Sequence, residues 1–150
     1  MWLNDNLLES IPNEILQKVS NAKTKAQKIK LLQQMNSPAL RAILIANFDE
    51  SVISMLPDGD VPYKKNEAPE GTEHTKLIQE YRKLYLFFKG GANISQTRRE
   101  TLFIQLLEGL HEKEAEVLCL MKDRKIGKRW KITRQCVEEA FPQISWGNRS

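Results

Sequence analysis

At 150 residues and 17.4 kDa, with 41% hydrophobic and 28% charged side chains, the chain has the size of one domain and enough apolar material for a core, which argues against a disordered polypeptide or one that needs metal or disulfide staples. The net charge of +4 is uneven: residues 76–150 carry 15 basic and 9 acidic side chains, residues 1–75 carry 8 and 10. The positive excess therefore sits in the C-terminal half, where it can attract polyphosphate, nucleic acid or an acidic protein.

The start, MWLNDNLLES, lacks the lysines and the sustained apolar run of a signal peptide, and charges interrupt every later apolar patch, so neither export nor a membrane span is expected. In NDNLLESIPNEILQKVSN, the side chains of Leu7, Leu8, Ile11, Ile15 and Val19 form an i, i+4 stripe. Pro12 marks a new turn there, and Asn13 is the candidate cap of a helix to about Val19. NAKTKAQKIKLLQQM puts Ala22, Ala26, Ile29 and Leu32 or Met35 on one side and Lys23, Lys25, Lys28 and Lys30 elsewhere, the pattern of a surface helix with a solvated lysine face. SPALRAILIANF opens with a cap residue, Ser37, and a first-position proline, Pro38. It predicts a core helix through Leu40, Ile43, Leu44 and Phe48, interrupted by the polar Asn47. DESVISML predicts a short helical turn from Glu50 to Leu56, ending before Pro57.

Periodicity then lapses over PDGDVPYKKNEAPEGTEH, residues 57–74, a long connector for a small domain. A helix resumes in GTEHTKLIQEYRKLYLFFKGG, with Leu77, Tyr81, Leu84 and Phe88 on one stripe and Gly90/Gly91 as its stop. SQTRRETLFIQLLEGL buries Leu102, Phe103, Leu106, Leu107 and Leu110, and Gly109 weakens or ends it. HEKEAEVLCLMKD follows at once as a second helix of a pair. ITRQCVEEAF uses Thr133 as its cap and buries Val137 and Phe141 before Pro142. The fold expected is all-α: a compact bundle of about six or seven short helices with a long central loop. It is read as a single domain over 1–150, with two helical halves joined by the 57–74 loop as the variant arrangement. A small ribbon around Ile126 to Ile132 is the one strand alternative.

Motifs for chemistry are missing. There is no Gly-rich phosphate loop with its Lys and Ser/Thr, and no nucleophile elbow. His74 and His111 lack a local Ser or Cys partner, and Asp58/Asp60 lack the remaining positions of a calcium loop. Glu112, Glu114 and Glu116 crowd a helix start, which suits capping better than metal binding. Cys119 and Cys136 lack zinc-site spacing and read as free thiols of a reducing, intracellular setting. A non-enzymatic protein with no cofactor and no metal is expected.

The functional signal is MKDRKIGKRWKITRQ, Met121 to Gln135. Between Lys122 and Arg134 seven cations face one carboxylate, Asp123, for a local charge of +6. Three readings stand open: a solvated structural loop, a dock for an acidic protein, or a nucleic-acid surface. In the last, Lys122, Arg124, Lys125, Lys128, Arg129 and Arg134 contact phosphates, and Trp130 stacks on a base. The same Trp130 can instead anchor the stretch to the core. The Glu138/Glu139 pair disfavours a long recognition helix in a DNA groove.

The segments SPALRAIL, VPYKKNEAPEGTE, YRKLYLFFKGG, RRETLFIQLLEGLHEKEAEVLCLMKD and VEEAFP together resemble a family of small, uncharacterised proteins of T4-like tailed bacteriophages, over roughly Ala22 to Pro142. The resemblance implies a phage protein working in the host cytoplasm, and it moves binding of a host or phage protein with an acidic surface ahead of a stand-alone enzyme, with sequence-nonspecific DNA or RNA binding as the runner-up. In that reading Lys125, Lys128, Arg129, Trp130 and Lys131 form the contact surface, with Tyr63, Lys64 and Lys65 as a second contact. A virion assembly factor is a further alternative.

Overall fold

The computed structural model describes residues 12–64 and 76–147. Among these the protein is all-α: eight α-helices, a 3-10 helix and no strand, with one isolated antiparallel bridge between Ser54 and Phe88. None of the described helices is long and apolar enough to cross a membrane.

Helices α1 (Pro12–Asn21), α2 (Lys25–Gln34) and α3 (Pro38–Phe48) come first. α1 starts on Pro12, whose fixed φ suits the first helical position. The next residue, Asn13, donates its backbone N–H across the fold to the buried Glu114 carboxylate at 3.1 Å. α2 and α3 start on the side chains of Thr24 and Ser37, which accept the first-turn N–H groups of Gln27 and Leu40. The N-terminal residues Leu7, Leu8 and Ile11 lie outside the described residues.

Two local expectations are corrected. Residues 50–56 are not helical, because Asp49 accepts from both the backbone N–H and the hydroxyl of Ser51, closing a turn that ends α3. The β-branched pair Val52 and Ile53 then runs extended, and this segment pairs with residues 87–89: Met55 N–H donates to Phe87 O at 2.9 Å and Lys89 N–H to Ile53 O at 2.8 Å. Nor is 77–88 one α-helix. One turn, α4 (Leu77–Glu80), tightens into a 3-10 helix, Tyr81–Phe87. The three-residue period aligns Tyr81, Leu84 and Phe87. Phe87 rather than Phe88 therefore enters the core, edge-on to Phe103 with ring centroids 5.0 Å apart. Phe88 leaves the helix in an extended conformation, and the chain turns back at Gly91, where a Cβ would lie 1.8 Å from Tyr85 O.

α5 (Gln96–Gly109) and α6 (Glu112–Lys122) pack on each other, as the paired pattern predicts, and α6 also packs on α1 and α3. Ser95 and His111 cap them, the latter through Nδ1 accepting from Lys113 N–H. α7 (Ile126–Trp130) and α8 (Arg134–Ala140) complete the set, with α8 against α2 and α7 against α1 and α6. One connected cluster of buried side chains draws on all eight helices and the 3-10 helix, from Ile15 to Phe141.

The connector is described from Pro57 to Lys64. It is held down rather than folded regularly: Lys122 Nζ donates to Pro57 O and Gly59 O at 2.8 and 2.9 Å, Gly59 N–H donates to Asp123, and Lys64 N–H donates to Glu108 at 2.8 Å.

Candidate functional site

The basic stretch folds neither as a loop nor as a ribbon. Its centre is α7, five residues long, and three local features build it. Asn47, the polar residue in the apolar face of α3, is buried there, and its Oδ1 accepts the first N–H of α7, from Ile126, at 3.1 Å. Arg124 and Lys131 bracket the helix in the left-handed region, at φ 59° and 51°. Gly127 admits the returning chain, since a Cβ there would lie 2.7 Å from Ile132 O. With the helix formed, Ile126 and Trp130 fall on one face at i, i+4, and both are buried with Ile132.

Trp130 is 3% exposed, and the Arg129 guanidinium lies over its ring at 5.0 Å. The ring is a core anchor, available neither to a partner nor to a stacked base, which corrects its place in the expected contact surface. Three further cations of the phosphate-contact reading are committed internally. Lys122 is 4% exposed, with its ammonium shared between Pro57 O, Gly59 O and Asp123 Oδ1 at 2.7 Å. Arg124 gathers the carbonyls of Asp49, Glu50 and Val52, tying α7 to the turn after α3. Arg134 pairs with Glu50 and Glu138 and lies over Trp146 at 5.0 Å. Arg129 also meets Glu116, at 3.2 Å, on the surface.

Lys125, Lys128 and Lys131 remain as exposed cations, and among the described residues their ammonium groups meet no hydrogen-bonding or ion-pair partner. Lys28 of α2 joins them, donating to Lys131 O at 2.7 Å. No pattern in the sequence links α2 to this stretch; the packing of α2 and α8 does. Asn47 did carry a signal, a single amide in an otherwise apolar stripe.

The expected second contact divides. Lys64 is exposed, Lys65 lies outside the described residues, and Tyr63 is half-buried. Tyr63 and Lys125 do share one cleft, about 680 Å³ in volume, between the connector and α6. Its walls carry Asp60, Glu112, Glu116 and Asp123 against Lys113 and Lys125, so its field does not suit an acidic partner. Cys119 lines the same cleft, close enough to Tyr63 for each group to influence the other's ionisation. Burial pushes the tyrosine up to about 12, and it pushes the Cys119 thiol up to about 11 against the pull of nearby Lys122. At neutral pH that sulfur is a protonated thiol, the less reactive form. Cys136 is also free, and burial raises its thiol too. Among the described residues no three His, Cys, Asp or Glu side chains gather as a metal site.

The model of DUF6433, a family of unknown function, matches residues 15–128. No curated protein and no solved structure matches the chain.

Proposed function

From the premise that the chain belongs to the DUF6433 family, whose description assigns no activity, we propose that it is a non-enzymatic accessory protein that binds an acidic surface of a host or phage protein in the host cytoplasm. The contact is made by Lys125, Lys128 and Lys131, with Lys28 alongside. The likeness to small proteins of T4-like phages supports the setting. The scaffold in this reading is a compact single-domain bundle whose long central loop begins at Pro57.

One observation carries the choice of surface. Lys131 sits at φ 51°, ψ 43° directly after α7, a conformation suited to glycine. A side chain there costs roughly 1 kcal/mol or more. Its ammonium is exposed and meets no hydrogen-bonding or ion-pair partner among the described residues. A cation kept at such a position supports a role for it toward something outside the chain. An acidic protein is favoured over single-stranded nucleic acid because Trp130, the stretch's aromatic platform, is buried.

Capture from infected cells, with and without nuclease, tests the reading. A protein held in stoichiometric amount after nuclease is expected, lost on Lys125→Glu/Lys128→Glu/Lys131→Glu. Lys131→Gly should raise stability by about 1 kcal/mol while weakening capture. Retention that disappears with nuclease would replace the reading with nucleic-acid binding, and recovery of the chain in purified virions would replace it with assembly.

A further inference from the structure

We propose that the hollow between α3 and the 3-10 helix is a second docking site, and that it takes an amphipathic helix of another protein whose flanks carry carboxylates. The argument begins in PALRAILIANF, which has one charged residue, Arg41, in eleven. A helix apolar on every side needs cover on every side. α3 buries Leu40, Ile43, Leu44 and Asn47, yet Ala42 and Ile45 on its other side stay half-exposed. They form one wall of a hollow of about 290 Å³, completed by Val52, Tyr85 and Phe88. Tyr85, displaced from the core by the three-residue period, is 55% exposed.

Charge selects the occupant. Among the described residues no carboxylate lines the hollow, whereas Arg82 does, with its guanidinium over the Tyr81 ring at 5.9 Å. Stacking of this kind presents the planar fork with less freedom to lose, ready for a carboxylate. Self-association through this face is disfavoured, since a second copy of the hollow brings another Arg82 and, among the described residues, no lining carboxylate to meet it. Nucleic acid would have to lay phosphates on an apolar floor. An amphipathic helix meets both requirements, with its apolar stripe in the hollow and a flanking glutamate on Arg82. Tyr and Arg are residue types that dominate such contacts.

Two labelled helical peptides form the test, each with leucines at i, i+3, i+4 and i+7, one flanked by glutamates and the other by lysines. The glutamate peptide should bind and the lysine peptide should not. Arg82→Glu, an exposed site that leaves the core intact, should weaken the glutamate peptide about tenfold and admit the lysine peptide. Tyr85→Ser should weaken binding similarly without changing the charge preference. Lys128→Glu, on the separate α7 surface, should leave the affinity as it is, so this result stands or falls apart from the capture experiment. Equal binding of the two peptides, binding of neither, indifference to Arg82→Glu, loss on Lys128→Glu, or a dimer through this face in sedimentation would each overturn the proposal.

Discussion

Lys122 ends α6 with its side chain 1% exposed, and what makes that burial tolerable is the set of acceptors around the ammonium: two connector carbonyls and the adjacent Asp123. In sequence it is one lysine of a basic run. In the fold it clamps residues 57–59 to the end of α6. Lys122→Met keeps the aliphatic stem and removes the donor, leaving three acceptors to find water in a half-closed site. A loss of about 2 kcal/mol is expected, read as a lower urea midpoint at unchanged slope. A midpoint at the parent value would mean that the clamp adds nothing net. Trp130 and Asn47 make the same point from the apolar side. An aromatic in a cationic run and an amide in an apolar stripe stand out in the sequence, but which way each points is set by the Asn47–Ile126 bond, which joins residues 79 positions apart.

Among the elements, caps were legible in part: Asn13, expected to cap the first helix, lies inside α1, which begins at Pro12, and the Thr24 and Ser95 caps were not foreseen. Ser37 and Thr133 cap their helices as their positions predict, because a cap needs only a side-chain oxygen and a backbone N–H three residues on. Residues 77–88 were less so. Tyr81, Leu84 and a phenylalanine fit an α-helical stripe and a 3-10 edge almost equally well, and the choice fell to the pairing of Phe88 with Ser54 and the turn at Gly91. Gly91→Ala tests how much rests on that turn. Its Cβ would meet backbone, Tyr85 O at 1.8 Å, which cannot swing aside as a side chain would. A cost of about 3 kcal/mol is expected in thermal or urea unfolding, together with greater solvent access at Phe87.

At the scale of the molecule, the cations that looked like a surface feature tie distant segments together: Arg124 holds residues 49–52, Arg134 holds Glu50 and Trp146, and Lys28 reaches from α2 to Lys131. The basic stretch should therefore unfold with the core and not ahead of it. In a variant with Trp2 and Trp146 changed to Phe, so that Trp130 is the sole tryptophan, its emission and the far-UV circular dichroism should follow one coincident urea transition. An earlier change in Trp130 emission would mark α7 as a locally unfolding unit attached to a stable remainder.

The helical class, the Ser37 and Thr133 caps and the place where charge concentrates follow from the sequence itself, because periodicity, capping and net charge are local properties that a few neighbouring residues determine. The division of the seven cations into four with partners inside the chain and three with none among the described residues, the burial of Trp130, the arrival of Lys28 beside Lys131 and the half-exposed side of α3 were decided only by tertiary structure. Each depends on acceptors or walls supplied by segments far away in the chain, and no local pattern encodes where those segments come to rest.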